Sequence, residues 1–183
     1  MSKRFKSERL ILRQFEEMDA HTLYKLNGDP LVLKYTGDVP FQNMLEAKTF
    51  IQNYKEYNNN GFGRWMVIDR VSKENIGWCG LRKNENGITD VGFRFFQEYW
   101  GKGYATRSAL FCLKIGFENF NLDEIIGRCQ PENKGSIRVL EKIGMKKKGT
   151  ENDENQSWFV YSIIQADFLK DSSRFKALKL ESS

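Results

Sequence analysis

The run Trp100-Gly101-Lys102-Gly103-Tyr104-Ala105-Thr106 constrains this chain more than any other stretch. Before it, Ile88 to Phe96 alternates like a strand. After it, Tyr104 to Glu118 repeats like a helix, with Ala105, Ala109, Cys112, Leu113 and Phe117 on one stripe. Glycine lets backbone approach a ligand closely, and the first N–H groups of a helix have no acceptor within it. An anion is the guest such a joint suits, and phosphate is the natural one. A plain tight turn is the other reading of the same residues. The third glycine of a dinucleotide-binding turn would fall at Thr106 and is absent. Lys102 is followed by Gly103 and Tyr104, which excludes the Gly-Lys-Ser/Thr ending of a nucleotide-triphosphate loop.

Around this joint the chain reads as alternating short elements. Glu8 to Phe15 predicts a first strand, and Asp19 is placed to cap a helix running to about Asn27, with Asp29-Pro30 as punctuation. A second helix is expected from about Met44 to Tyr57, stopped by Asn58-Asn59-Asn60-Gly61. Strands follow at Arg64 to Arg70, Asn75 to Arg82 and Ile88 to Phe96, the last two joined by the hairpin signal Asn86-Gly87. Glu124 to Cys129 is a further strand. Strand, glycine turn, helix and strand in that order make a βαβ unit with parallel strands, so the anion would lie at the carboxyl end of the first of them. A helix from Asn133 to Ile143, stopped by Gly144, and two closing strands, Met145 to Thr150 and Ser157 to Ile164, complete the pattern. Residues 1–169 are expected to form one domain, and residues 170–183 a polar, basic tail.

A chain of 183 residues with 40% hydrophobic and 14% aromatic side chains is long enough for a real core. No uninterrupted apolar run approaches a membrane span. Ser7, Glu8 and Arg9 stand where the apolar part of a secretory signal would be, so the expected location is cytoplasmic. Cys79, Cys112 and Cys129 are odd in number and lack Cys-x-x-Cys spacing, which argues for buried thiols over disulfides or a metal site. His21, the single histidine, falls in an expected surface helix and is a poor candidate catalyst. The formal charge of +5 suits an anionic ligand. Basic balance alone is a weak reason to expect nucleic acid, because no aromatic-lined basic groove accompanies it.

Two motifs carry a resemblance. The first is Asp90-Val91-Gly92-Phe93-Arg94-Phe95 running into Tyr99-Trp100-Gly101-Lys102-Gly103-Tyr104-Ala105-Thr106. The second is Asn133-Lys134-Gly135-Ser136-Ile137-Arg138-Val139-Leu140-Glu141-Lys142-Ile143-Gly144-Met145. With the order of elements, they resemble the GNAT superfamily of acetyl-coenzyme-A-dependent N-acetyltransferases, and within it the RimJ/RimL-like group, over residues 7–168.

The resemblance implies an α/β fold in three layers. Its centre is a mixed, mostly antiparallel sheet of six to seven strands, splayed between the fourth and fifth, with helices on both faces. It implies acetyl-CoA as cosubstrate, no metal, and an amine acceptor. Pantetheine would lie in the splay and its pyrophosphate on the N–H groups of Gly101, Lys102, Gly103, Tyr104, Ala105 and Thr106. A backbone amide around Phe95, with Phe96 beside it, would stabilise the oxyanion, and Asn133 would touch the pantetheine arm.

Polyamine acetyltransferases of similar sequence carry a tyrosine acid in the slot held here by Leu140. The candidate proton donor is therefore Ser136, one turn back on the same face, and the alternative is that Ser136 only solvates its helix start. Asp90 is the candidate general base and Glu85 a second choice; Asp90 read as a strand-start turn residue remains open. Glu98 stands where the wider superfamily has Gln or Arg, which weakens side-chain anion binding there. Lys102, Arg107 and Arg138 are candidates for the outer phosphates, Lys102 foremost. Trp65, Trp78, Phe41 and Trp100 are expected to pack or to form walls. Phe41 and the early helices would select the acceptor. That acceptor is a protein N-terminal α-amine or a small amine such as a polyamine, an amino sugar or an antibiotic. A non-catalytic acyl-CoA sensor would keep the same cradle. Either a monomer or a homodimer fits.

Overall fold

Residues Arg64 to Phe95 form the meander that their alternation predicts: β3 (Arg64–Asp69), β4 (Asn75–Lys83) and β5 (Thr89–Phe95). At the expected hairpin, Gly87 takes φ +78°, and its N–H donates to Asn84 O at 2.9 Å. β4 and β5 pair antiparallel from Lys83↔Thr89 to Gly77↔Phe95. These and the other elements come from a computed structural model that describes residues 4–84, 86–152, 156–170 and 181–182.

The remaining strands are β1 (Arg4–Lys6), β2 (Leu10–Arg13), β6 (Glu124–Cys129), β7 (Lys146–Asn152), β8 (Ser157–Ile164) and β9 (Glu181–Ser182). All join one mixed nine-stranded sheet in the order β7-β8-β6-β5-β4-β3-β2-β1-β9. The expected six to seven strands are therefore exceeded by β1 and β9, which pair with each other at one edge. β9 gives the end of the expected tail a place in the sheet. The rest of that tail beyond Lys170 lies outside the described residues.

The crossover from β5 to β6 is α5 (Tyr104–Asn119), and β5 and β6 are parallel. They register at a single pair, Asp90↔Ile126, and part beyond it. Every other neighbouring pair is antiparallel. On one face the alternate residues Trp65, Val67, Cys79, Leu81, Val91 and Phe95 meet the apolar stripe of α5. α6 (Lys134–Lys142) joins this layer through Leu140, which is 1% exposed. The opposite face carries α1 (Ala20–Gly28), packed on α3 (Met44–Gln52), with the short α2 (Pro30–Leu33) between them in sequence.

Local differences from the sequence expectations have physical causes. The helix expected over Met44 to Tyr57 breaks at Asn53 and resumes as α4 (Glu56–Asn60). At the break Tyr54 Oη accepts from Arg64 N at 2.7 Å, and Tyr57 Oη accepts from Phe15 N at 3.0 Å. The tyrosines thus turn inward and serve the backbone of β3 and of the segment that follows β2. Asp19 makes no cap hydrogen bond to α1; its wholly buried carboxylate is gripped by Arg13 instead. After β8 the chain forms α7 (Gln165–Lys170), whose Phe168 is buried against Phe117 with ring centroids 4.8 Å apart.

Candidate active site

The parting of β5 from β6 leaves backbone groups of β5 without a ladder partner. Arg94 registers with Trp78, and Phe96 N donates to Ile76 O at 3.2 Å, so these even positions turn their peptide groups towards β4. Alternation along an antiparallel strand then turns the N–H and C=O of Phe93 and Phe95 towards the gap. The Phe95 carbonyl accepts from the indole Nε1 of Trp100 at 2.8 Å. The expected Phe95 amide is thus aimed at the gap. The amide of Phe96 is committed to the sheet, whereas that of Phe93 faces the gap. Sequence alternation alone would have favoured Phe93, since the side facing the gap repeats every second residue.

Beyond Phe95 a 3₁₀ turn (Gln97–Tyr99) leads into the glycine loop, where Gly101 and Gly103 adopt φ +71° and +82°. A side chain at those φ values is strained, yet no atom lies within 4 Å of where a Cβ would stand on either glycine. The loop's outer side is open. Arg107 N donates to Gly103 O at 3.0 Å; among the described residues no acceptor faces the amides of Lys102 to Thr106. These unpaired N–H groups at the head of a long helix form an anion cradle. Its position is fixed from behind: Tyr104 is buried and donates through its hydroxyl to Asp69 Oδ2 at 2.8 Å. Lys102 is exposed at the cradle's edge, as are Arg107 and Glu98.

Across the gap, Asn133 caps α6, accepting from Ser136 N through Oδ1 at 3.0 Å. This leaves the Asn133 amide NH2 and the Ser136 hydroxyl without a partner among the described residues, and both side chains line one cavity with Phe95, Trp100 and Gly101. Leu140 packs into the core, its Cδ2 standing 2.6 Å from where a Cβ on Gly127 would be. Cys129 also borders the cavity, and burial pushes its thiol up to about 11, so it is no thiolate nucleophile at neutral pH.

The same cavity, about 1150 Å³, continues between β5 and the helices of the opposite face. An aromatic roof of Phe15, Phe41, Phe50 and Tyr54 closes part of it, with neighbouring ring centroids 5.3 to 6.3 Å apart. Burial pushes the Tyr54 phenol up to about 12, so it stays protonated. Its floor is the polar sheet face: Arg64, Trp78, Arg82, Asp90, Arg94 and Arg128. The Trp78 ring lies between two guanidiniums, Arg64 at 5.4 Å and Arg94 at 5.3 Å. Gly92 makes this possible, because a Cβ there would stand 2.7 Å from the Arg64 guanidinium carbon.

Asp90 therefore lies in the cavity wall, but both of its oxygens are engaged. Arg64 Nη2 binds Oδ2 in a short contact, and Arg82 Nε stands 3.5 Å from Oδ1. Two guanidiniums thus tie this carboxylate to the wall, one on each oxygen. Glu85, the second choice, lies outside the described residues, and His21 is exposed on α1. The arginine and tryptophan floor was not anticipated. Its signal was present in the period-two spacing of Asp90, Gly92 and Arg94 and of Trp78, Gly80 and Arg82, which sets polar residues on one face of adjacent strands.

Comparison with known proteins places this arrangement. Residues 9–146 match the Acetyltransferase (GNAT) domain. The uncharacterized N-acetyltransferase p20 of Bacillus licheniformis is 33% identical over 171 residues, covering 88% of this chain and 96% of that protein. The GNAT-family acetyltransferase structure from Bacillus anthracis is 30% identical with a TM-score of 0.77, over 89% of this chain and 99% of that one. The spermidine N-acetyltransferase of Vibrio cholerae, solved with CoA and spermine, shares the fold at a TM-score of 0.74 and 23% identity, over 87% of this chain and 98% of that one. A sheet parted at one pair of strands, an amide cradle at the mouth of the gap and these likenesses agree: the chain belongs to the GNAT family, as an acetyl-CoA-dependent acetyltransferase.

Proposed function

We propose that the chain acetylates an α-amine, that of a polypeptide N-terminus, by direct attack on the thioester. The cosubstrate's diphosphate would rest on the amides of Gly101 to Thr106, with Lys102 at its edge and Asn133 beside the pantetheine arm. The gap-facing amide of Phe95 would then meet the thioester oxygen as it becomes an oxyanion. One such donor contributes on the order of 3 kcal/mol to a transition state. Ser136, across the gap, would protonate the departing thiolate. Direct attack fits a cleft whose cysteine is held as the thiol.

The observation that carries the α-amine reading is the engagement of Asp90 and of Asp38 by arginines, Asp38 by Arg94. A wall whose inner carboxylates are paired with arginines, leaving only Glu132 on the loop before α6, favours an acceptor that arrives neutral. At neutral pH about a tenth to a fifth of an α-amine of pKa near 8 is neutral, against roughly four ten-thousandths of a lysine-like amine. The spermine bound by the Vibrio cholerae relative is a polycation, for which a floor rich in arginine is a poor match. Mass-resolved acetylation of peptides and free amines checks this. α-Acetylated peptides are the expected product, and acetylation confined to lysine side chains, polyamines or amino sugars would overturn the reading.

The role of Ser136 has its own test. Ser136→Ala is expected to lower kcat about a hundredfold, the scale of general-acid catalysis, while acetyl-CoA affinity is unchanged. Undiminished turnover would leave the serine as a helix-start residue only.

A further inference from the structure

The amine acceptor is recognised through an anionic group, and we infer that Arg128 with Arg94 is the device that reads a carboxylate near the reacting amine. This rests on the reading that the acceptor enters the aromatic-roofed lobe of the cavity. Arg94 and Arg128 stand on β5 and β6, the two banks of the gap. The register Asp90↔Ile126 puts both on the face that forms the lobe's floor. Arg94 directly precedes Phe95, whose amide faces the gap.

The lobe's charge is lopsided. Arg64, Arg82, Arg94 and Arg128 line it against Asp38 and Asp90. The remaining carboxylate in the wall, Glu132, is exposed on the loop before α6, next to Asn133. Arg64 is fully engaged by Asp90 and by the carbonyls of Gly80 and Asp90. Arg94 is buried, with Asn27 and Asp38 on its two Nη groups, and its Nε–H is buried without a partner. It therefore supplies charge from below the surface. Arg128 differs. Its side chain is 41% exposed, its plane is held over the Trp158 ring at 5.4 Å, and its Nε stands 3.4 Å from the exposed Glu151. No acceptor among the described residues faces its two Nη groups. The link to Glu151 is a solvent-screened surface pair, so a substrate carboxylate can replace it. A guanidinium with free paired donors, pre-oriented on an aromatic ring, is suited to a two-point grip on a carboxylate.

The matching ligand is an amine that carries a carboxylate a few bonds away. That chemistry occurs in a free amino acid and in a peptide with an acidic residue near its start. The test compares initial rates on four acceptors: an amino acid, a peptide starting with an acidic second residue, the same peptide with the amide in place of the acid, and spermidine. Acetyl-CoA affinity is measured alongside by calorimetry. The wild-type enzyme is expected to prefer an acidic acceptor over its amide match at least tenfold in kcat/KM. Which acidic acceptor it prefers identifies the source. Arg128→Glu is expected to erase that preference through KM, with kcat within threefold and acetyl-CoA affinity unchanged; Arg128→Lys should retain part of it.

Equal rates on the matched peptides, a preference untouched by Arg128→Glu, or a weakened grip on acetyl-CoA in that variant would each overturn the inference. The first two leave the α-amine reading standing. Turnover of spermidine alone would remove both.

Discussion

Gly103→Val is expected to weaken acetyl-CoA binding a hundredfold or more while the chain still folds. Gly103 sits at φ +82°, a conformation that costs a side-chain-bearing residue about 1–2 kcal/mol and a β-branched one more. No atom lies within 4 Å of the added Cβ, so the loop has room to relax towards negative φ. Relaxation turns the peptide planes on either side of residue 103, and with them the N–H groups at the head of α5. Each hydrogen bond to a charged group contributes about 1.5–3 kcal/mol, so two misdirected amides remove at least about 3 kcal/mol, roughly a hundredfold in Kd. The fold loses only the strain energy, a fall in Tm of about 2–8 °C for a chain of this size. Gly28→Ala is the control: it ends α1, has open space around it and takes an ordinary φ. Calorimetric titration of both variants with acetyl-CoA reads the difference. An affinity within threefold of wild type in Gly103→Val would show that the cosubstrate's anionic part does not sit on this loop.

That loop was the part of the site most legible in the sequence, for a physical reason. Backbone that binds through its own N–H groups needs glycines at fixed offsets from a helix start, and those offsets survive in the linear chain. The same holds for Asn133, whose capping of α6 is local, and for the hairpin at Asn86-Gly87. Roles that depend on neighbours far along the chain were less visible. The ion pairs of Asp90 were not visible in the sequence because its partners, Arg64 and Arg82, come from other strands, 26 residues away in the case of Arg64. Phe93 follows from Phe95 by alternation, and the ladder bond from Phe96 N to Ile76 O turns the even amides of β5 to β4. β1 and β9 escaped notice because each is two or three residues long and exists only through its partner. Phe168 was lost in a polar context, although its ring, tilted against Phe117, is buried beneath α7.

Asp19→Ala is expected to produce the largest loss of stability among substitutions outside the cleft. The Asp19 side chain is wholly buried and receives Arg13 at two points, Nη1 to Oδ2 at 2.6 Å and Nη2 to Oδ1 at 2.8 Å. Glu16 N at 2.8 Å and Asn75 Nδ2 at 3.0 Å complete its shell. Removing the carboxylate leaves the Arg13 guanidinium, only 8% exposed as a side chain, with no counter-charge nearer than Glu16 Oε1, 3.8 Å from its Nε, and leaves Glu16 N unpaired. Breaking a buried pair from one side costs about 3–5 kcal/mol, equivalent here to a fall in Tm of about 6–20 °C. Glu17→Gln gives the contrast, since Glu17 and Lys48 are about half exposed and solvent screens such a pair, so little change in Tm is expected. Replacing both partners with apolar residues, Arg13→Met with Asp19→Leu, should recover much of the loss, because the cost lies in the orphaned charge more than in the missing bond. Asp19 also ties β4 to the start of α1, and Asn27 near the end of that helix holds Arg94 in the floor of the cavity. Loss of the pair is therefore expected to raise the KM of the acceptor as Tm is approached while acetyl-CoA affinity holds, since the cradle is anchored separately through Tyr104 and Asp69. A fall in Tm below 2 °C for Asp19→Ala would mean that this corner of the fold is held by packing and not by the ion pair.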